Sequence, residues 1–298
     1  MSTPLPRLHL VDGTYELFRA HYSKRPPHAG PGGEDLKATV GLASSLLALL
    51  HDEVEAVTHL AVAFDNPIRS FRNDLFAGYK SDDGVPPELH AQFDLAEEAV
   101  RALGVTAWSM KDFEADDALC TAAARFRDGC AQVRIFSPDK DLHQCVVDGR
   151  VVQVDRVRET VIDEAAVAAR KGVQPGSIPD LLALVGDDAD GIPGLAGWGE
   201  KGAAAVLARY GTLENIPGEA KAWDVKVRGA EVLCATLNAH REEALLYRTL
   251  ATLRTDAPVT ESLELLRWSG VPRDAFLSFC DRVGANTLKA RPKRWAES

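Results

Sequence analysis

The stretch Leu8-His9-Leu10-Val11-Asp12-Gly13 is a short apolar run that stops at a carboxylate, and the chain repeats the device. Residues 59–64 lead into Asp65, and residues 133–136 lead through Ser137-Pro138 into Asp139 and Asp141. A fourth run occupies residues 105–108. Between the runs lie residues 36–50, 88–103 and 116–126, whose apolar residues recur at three and four positions. Short bounded runs are the pattern of buried strands, and the longer periodicity is that of helices. Strand and helix alternating in this way predict an α/β fold, a mostly parallel sheet with helices on both faces.

Residues 151–154 and 159–162 read as a further strand pair. Beyond about residue 172 only helical patterns recur, at 178–185, 201–210, 229–247 and 273–283, so residues 1–172 and 173–298 are expected to form an α/β domain and an all-helical one. Residues 28–33 and 81–87, rich in Gly, Pro and Asp, read as loops.

Composition narrows the setting. At 298 residues, 46% hydrophobic and 26% charged, the chain can bury one large core or two smaller ones. The five cysteines are scattered, with no zinc-knuckle spacing and no disulfide framework, which suits a reducing, cytoplasmic setting. The N-terminus carries no apolar export segment, and residues 41–50 are too short to cross a bilayer, so no membrane association is expected. A net charge of −10 would count against a nucleic-acid partner, unless the acids are gathered in a metal site.

Their positions favour such a gathering. In an open parallel sheet ligands sit beyond the carboxyl ends of the strands, where Asp12, Asp65, Asp139 and Asp141 would meet. Glu114-Ala115-Asp116-Asp117 opens a helix, where acids suit the positive end of the dipole, and Glu114 and Asp117 share a face. Each alone is an ordinary capping acid. Together they repel unless cations lie between them. Val185-Gly186-Asp187-Asp188-Ala189-Asp190-Gly191-Ile192-Pro193-Gly194 is either a solvated turn or the source of two more ligands, Asp187 and Asp190. An all-oxygen donor set suits Mg²⁺ or Mn²⁺. Two such ions about 4 Å apart clamp the attacking and leaving oxygens of a phosphodiester.

Gly197-Trp198-Gly199-Glu200-Lys201 sets a glycine turn before an Ala-rich helix, where backbone N–H groups and Lys201 can approach a phosphate. Residues 69–80 interleave Arg69, Arg72 and Lys80 with Phe71, Phe76 and Tyr79. The mixture suits single-stranded nucleic acid, and equally a helix with a buried aromatic face.

In order and spacing these motifs resemble the 5′-to-3′ exonuclease and flap endonuclease family, the 5′-nuclease domain of bacterial DNA polymerase I and its free-standing relatives. The resemblance runs through Leu10-Val11-Asp12-Gly13 with Arg19-Ala20, Phe64-Asp65, Phe71-Arg72 with Tyr79-Lys80, Phe113 before Glu114-Ala115-Asp116-Asp117, and Asp139-Lys140-Asp141-Leu142. It continues through Leu184-Val185-Gly186-Asp187 and Asp190-Gly191-Ile192-Pro193-Gly194 to Lys201, covering roughly residues 8–255.

The resemblance implies a PIN-like (resolvase-like) catalytic domain and a helix-three-turn-helix element that grips duplex DNA, with K⁺ at the Gly197 to Gly199 turn. It implies a monomeric hydrolase of DNA bearing a 5′ flap, a 5′ overhang or a duplex to single-strand junction, in replication and repair, with RNA-primed DNA as a further substrate. Asp12, Asp65, Glu114 and Asp116 would hold one ion, and Asp139, Asp141 and Asp190 a second. Asp117 and Asp187 would act through waters, Lys80 and Arg72 at the scissile phosphate, and Arg19, Tyr79, Lys80, Gly197, Gly199 and Lys201 on DNA. The chain ends at Ser298 with no polymerase module, as in the free-standing branch.

Three positions depart from the family pattern: Gly191 where Asn is usual, Trp198 where Ile is common, and Ser81-Asp82-Asp83-Gly84 where a basic residue often follows the Tyr-Lys pair. Two other readings are a phosphatase with Asp12 as nucleophile, which lacks a second Asp at position 14, and a junction-binding module that does not cut.

Overall fold

The computed structural model describes residues 5–297, so Met1 to Pro4 of the N-terminal stretch and Ser298 lie outside the described residues. The chain forms two compact units, one of residues 5–70, 82–137 and 255–297, the other of residues 71–81 and 138–254. Each unit takes chain from separated stretches, which no local pattern announces.

In the first unit strands β1 (Arg7–Asp12), β2 (His59–Asp65), β3 (Thr106–Met110) and β4 (Gln132–Phe136) are all parallel, in the order β3-β2-β1-β4. Asp12 is in register with Ala63, and Asp65 with Met110. β2 is buried along its length to Phe64, as a strand covered on both faces must be. Helices α1 (Gly13–Tyr22) and α2 (Lys37–Leu50) connect β1 to β2. α3 (Arg72–Leu75), a single turn, belongs to the second unit; α4 (Pro87–His90) and α5 (Phe93–Ala102) lead to β3, and α6 (Ala115–Phe126) leads to β4. Parallel crossovers are right-handed. The chain steps from β1 to β3 in one direction and then back past β1 to β4, so α6 lies on the opposite face from α1, α2 and α5. The reversal falls between β1 and β4, the place where open sheets of this kind leave a crevice.

The helical pattern over residues 88–103 is broken after His90 by a buried glutamine. Gln92 Oε1 accepts from the Thr39 N–H at 3.0 Å and its Nε2 donates to the Glu88 carbonyl at 2.8 Å. Helix α12 (Arg273–Arg282) completes the unit.

The second unit contains the antiparallel pair β5 (Val151–Asp155) and β6 (Thr160–Ile162), as expected from residues 151–162. Its helices are α7 (Glu164–Lys171), α8 (Ile178–Val185), α9 (Glu200–Tyr210), α10 (Ala230–Ala239) and α11 (Arg241–Ala251). Ile178, Leu181, Leu184, Val206, Leu207 and Leu250 form its core, with Trp198 and Trp223 at 6.1 Å between ring centroids. The pattern over residues 229–247 resolves into α10 and α11, parted at His240. Among the described residues no helix is long and apolar enough to cross a membrane.

Candidate functional site

In the first unit the expected acids stand at strand and helix ends. Asp12 ends β1 and caps α1: its Oδ1 accepts from the Tyr15 N–H at 2.8 Å and its Oδ2 from Ser137 Oγ at 2.9 Å. Ser137 directly follows β4, so Asp12 ties the two strands at the switch point. Gly13 is required beside it, because a Cβ there would meet the Phe64 ring at 2.6 Å. Asp65 ends β2, and its Oδ1 accepts from the Ala115 N–H at 2.7 Å, the first residue of α6. Glu114 Oε1 accepts from Ser70 Oγ at 2.7 Å. Asp117, fully buried, accepts from the Glu114 N–H at 3.0 Å, completing a capping box; Asp116 is half-buried. Capping is therefore real here. The caps fix the positions of acids that would otherwise repel one another.

In the second unit Asp141, Asp187 and Asp190 each offer one carboxylate oxygen within 4.8 Å of the others. Asp141 is 5% exposed, and its Oδ1 is buried with no hydrogen-bond partner. Burial, and then the charges of Asp139, Asp190 and Asp187, raise its carboxyl well above the ordinary range. Asp139, open to solvent, accepts from the Asp141 N–H at 2.9 Å. Two lysines supply counter-charge: Lys140 Nζ lies 2.6 Å from Asp187 and Lys80 Nζ 3.2 Å from Asp190. Burial opposes the charge on Lys140, but the bond to Asp187 and the other acids around it raise its pKa. A buried carboxylate oxygen left unbonded among four acids fits a hard divalent cation well, since such ions take oxygen donors. No Cys or His belongs to this trio.

The turn carrying these acids joins α8 to α9. Asp187 and Ile192 exchange backbone hydrogen bonds, both 2.8 Å, and the Leu195 N–H donates to the Leu184 carbonyl at 2.8 Å. Gly191 has φ +71°, and a Cβ on it would lie 2.1 Å from the Gly78 carbonyl oxygen. That close approach accounts for glycine where the family pattern has Asn. Trp198 is also accounted for: it is buried, and its Nε1 donates to the Leu233 carbonyl at 3.2 Å.

The segment of residues 69–80 requires two corrections. Arg72, expected at the scissile phosphate, has no exposed surface; its Nε donates to the Leu250 carbonyl at 2.7 Å and its Nη2 to that of Thr252 at 3.0 Å. It closes the C-terminal end of α11, where carbonyls lack helical partners. Tyr79, expected on DNA, is 4% exposed within the core of the second unit, its hydroxyl 3.4 Å from Asp190 Oδ2. Phe71 carries the guanidinium groups of Arg72 and Arg254 over its ring, and Phe76 packs on Tyr247. The buried aromatic face describes this segment, and Lys80 alone of the expected trio Arg72, Tyr79 and Lys80 keeps a quarter of its side chain in solvent. Arg19 is held by Glu16 and by Ser45 Oγ. Asp82 and Asp83 are exposed, Asp82 lying 3.8 Å from His90.

Gly197, Gly199 and Lys201 line an open cavity of about 310 Å³ together with Lys226 and Arg228. The last two were missed by sequence reasoning. Their signal is a basic residue at every second position just ahead of the Gly229 that begins α10.

A parallel α/β unit with acids at its carboxyl edge, and a helical unit carrying a carboxylate trio, define an α/β protein with acids gathered at its strand and helix ends. The chain belongs to the 5′-3′ exonuclease family: residues 7–172 match the N-terminal resolvase-like domain of that family, and residues 173–274 its C-terminal SAM fold. It is 35% identical over 282 residues to DNA polymerase I of Bacillus caldotenax, covering 93% of this chain and 31% of that protein. Against DNA polymerase I of Mycobacterium leprae it is 34% identical over 291 residues, covering 96% and 31%. The chain thus spans about a third of the length of the curated polymerases it matches. Among solved structures, the T5 D15 protein co-crystallised with metal ions superposes with a TM-score of 0.65 at 18% identity, covering 93% of this chain and 99% of that one. The catalytic core of Rad2 in complex with DNA substrate does so with a TM-score of 0.60 at 14% identity, covering 94% and 88%.

Proposed function

We propose that this chain is a divalent-metal-dependent, structure-selective 5′ nuclease that hydrolyses DNA phosphodiesters at 5′ flaps and 5′ ends. The observation that carries the reading is the Asp141, Asp187 and Asp190 cluster, with Asp141 Oδ1 buried and unbonded, in a chain of this family. Asp12, Asp65, Glu114 and Asp116 would hold one ion, and Asp139, Asp141 and Asp190 another, with Mg²⁺ or Mn²⁺ as the natural occupants. Asp117, already bonded to the Glu114 N–H, positions rather than ligates. Asp187, paired with Lys140, acts through water.

Bound divalent ions lower the pKa of water and offset charge on the leaving oxygen. The chain's own groups do the remainder. Lys80 directs its ammonium to the phosphate, where charge grows in the transition state. Gly197, Gly199 and Lys201, with Lys226 and Arg228, grip the duplex backbone through N–H groups and cations, and K⁺ at that turn is part of the same proposal. The substrates are DNA with a 5′ flap, an overhang or a duplex to single-strand junction, RNA-primed DNA included, met by a cytoplasmic monomer.

A 5′-labelled flap substrate incubated with Mg²⁺, with Mn²⁺ and with EDTA tests the reading, beside a generic phosphatase substrate. Flap cleavage with either metal and none in EDTA is expected. Binding without cleavage under every condition would leave a junction-binding module, and turnover of the phosphatase substrate alone would leave a phosphatase.

A further inference from the structure

Strand β5 is buried at every position and reads Val151-Val152-Gln153-Val154-Asp155, so a single amide stands between Val152 and Val154. Gln153 has no exposed surface. Burying an amide is unfavourable unless both of its ends find partners, and here both do. Its Nε2 donates to the Asp139 carbonyl at 2.5 Å, and its Oε1 lies 2.6 Å from Nδ1 of His143, which is also buried. The carbonyl can only accept, so the amide NH₂ must face it and the amide oxygen must face the ring. Nδ1 of His143 therefore carries a proton and donates to Gln153.

This chain of bonds, from imidazole to amide to carbonyl, ends on the loop that bears Asp139 and Asp141. Within the loop the Asp141 N–H donates to Asp139 Oδ1 at 2.9 Å, and the His143 N–H to the Lys140 carbonyl at 3.1 Å. Those bonds are local and move with the loop. The Gln153 bond comes from a strand, and so fixes the Asp139 peptide to the body of the second unit. Gln144 does the same on the other side, its Nε2 donating to the Asp141 carbonyl at 2.8 Å and to the Ala251 carbonyl at 3.0 Å. Such ties have something to resist, because Asp139, Asp190 and Asp187 all press negative charge on Asp141. Asp139 is exposed, so a loop released from Gln153 can swing outward and give its carbonyl to water.

We infer that Gln153 and His143 are positioning residues for the ion assigned to Asp139, Asp141 and Asp190: they clamp the Asp139 peptide, so that the acids of its loop stay in place against their mutual repulsion before an ion arrives. Gln153 holds the loop, and His143 holds Gln153 in the orientation that can do so. A site kept ready binds an ion more tightly than one gathered on binding, and groups that orient metal ligands are worth about 10–100-fold in affinity or activity. A polar pair that served only the fold would behave differently. Exchanging both groups for apolar ones of similar size is close to neutral for folding, since neither is left facing an unpaired partner, yet it deletes the tether. The inference rests on the proposed nuclease reading, with its ion at these acids.

The test compares wild type with H143L/Q153L and with H143Q, which keeps an N–H donor for Gln153. Three readings are taken: melting in EDTA, Mn²⁺ calorimetry without DNA, and the Mg²⁺ dependence of single-turnover flap cleavage. The ion in question is the one whose binding D141N abolishes. The apolar pair is expected to melt in EDTA close to wild type, to bind that ion about 10–100-fold more weakly with any other unchanged, and to need correspondingly more Mg²⁺ for half-maximal cleavage. H143Q should keep most of the affinity. An apolar pair that binds the ion as wild type does overturns the clamp. Equal weakening at every ion also overturns it, because that is what a general loosening of the fold does. Should the apolar pair melt early, Q153M titrated below its own melting temperature decides, and wild-type affinity in that variant overturns the clamp. A wild-type chain that takes up no Mn²⁺ and shows no Mg²⁺-dependent cleavage overturns the ion assignment itself, which is the failure of the nuclease reading and not of the clamp alone.

Discussion

Lys80 is bound to Asp190 twice: its backbone N–H donates to the Asp190 carbonyl at 3.0 Å, and its Nζ lies 3.2 Å from Asp190 Oδ1. The first contact fixes the chain and the second only the charge. A lysine held by its backbone keeps its place when its ammonium moves to a better anion, which is what a transition-state contact requires. Lys80→Ala is therefore expected to slow single-turnover cleavage by about 100-fold, with a much smaller effect on flap binding. A change confined to the dissociation constant would remove Lys80 from the chemical step.

Asp141 should be more comfortable as an amide when metal is withheld. Its pKa is raised on folding, so its favourable protonated state is present below the unfolded value of 3.8 and is lost as pH rises through the raised folded value. At pH 7 in EDTA, Asp141→Asn is expected to gain about 0.5–2 kcal/mol. The same change should abolish cleavage and shrink the rise in melting temperature that Mg²⁺ gives the wild type, since binding to the folded state alone stabilises it. Calorimetry with and without Mg²⁺ reads both effects, and an undiminished Mg²⁺ shift would remove Asp141 from the ligand set.

Arg72 is expected to fail differently. Arg72→Ala leaves the Leu250 and Thr252 carbonyls unbonded and empties a fully buried volume. A loss of about 3 kcal/mol or more follows, read by denaturant unfolding. Lysine cannot restore it, because a single ammonium does not reproduce the forked pair of donors. If Arg72→Ala unfolded like wild type but cut slowly, a catalytic role would return.

These contrasts show where the sequence was legible. The four parallel strands could be read because a short bounded apolar run is a local pattern, the acids ending β1 and β2 are read with them, and the spacing of Asp187 and Asp190 on a glycine-punctuated turn is local too. The fates of Arg72 and Tyr79 were not. Both lie in a stretch whose composition serves a nucleic-acid lip and a buried face equally well, and the choice depends on carbonyls at residues 250 and 252, far along the chain. The helix break at Gln92 is of the same kind, since one end of the buried glutamine is held by distant Thr39 while the other bonds Glu88.

Glu55 gives a pH dependence free of the metal question. Burial would raise its carboxyl, but hydrogen bonds to His9 and Arg134 outweigh it and hold the pKa at about 2, below its usual 4.5. A folded value that is depressed means the stability is present above the unfolded pKa and is lost as pH falls from about 4.5 toward about 2. Glu55→Gln should cost about 1.5–3 kcal/mol near pH 7 and progressively less in acid. Parallel urea titrations at pH 7 and pH 3 check it; an equal cost at both would mean that the ionised carboxylate is not what the two bases hold.

Gly191 offers a test of the turn that bears Asp190, because two costs of adding a side chain can be separated there. The first is conformational, for φ is +71°, a region that costs an L-residue about 1 kcal/mol or somewhat more. Gly84 has φ +88° with nothing within 4 Å of a built Cβ, so Gly84→Ala measures that cost alone. The second is steric, since the Gly191 Cβ would sit 2.1 Å from the Gly78 oxygen and 3.6 Å from the Lys80 nitrogen. Relief requires the backbone of one strand of chain to move, and the Lys80 to Asp190 hydrogen bond lies across the gap that must open. Gly191→Ala is therefore expected to destabilise by about 1–3 kcal/mol more than Gly84→Ala and to slow cleavage, whereas Gly84→Ala leaves the rate alone. Gly191→Asn, although the family residue and more tolerant of positive φ, should share the steric loss. Equal stability for Gly191→Ala and Gly84→Ala, with unchanged cleavage in both, would show that residues 78 and 191 do not press together and that Lys80 is placed by some other contact.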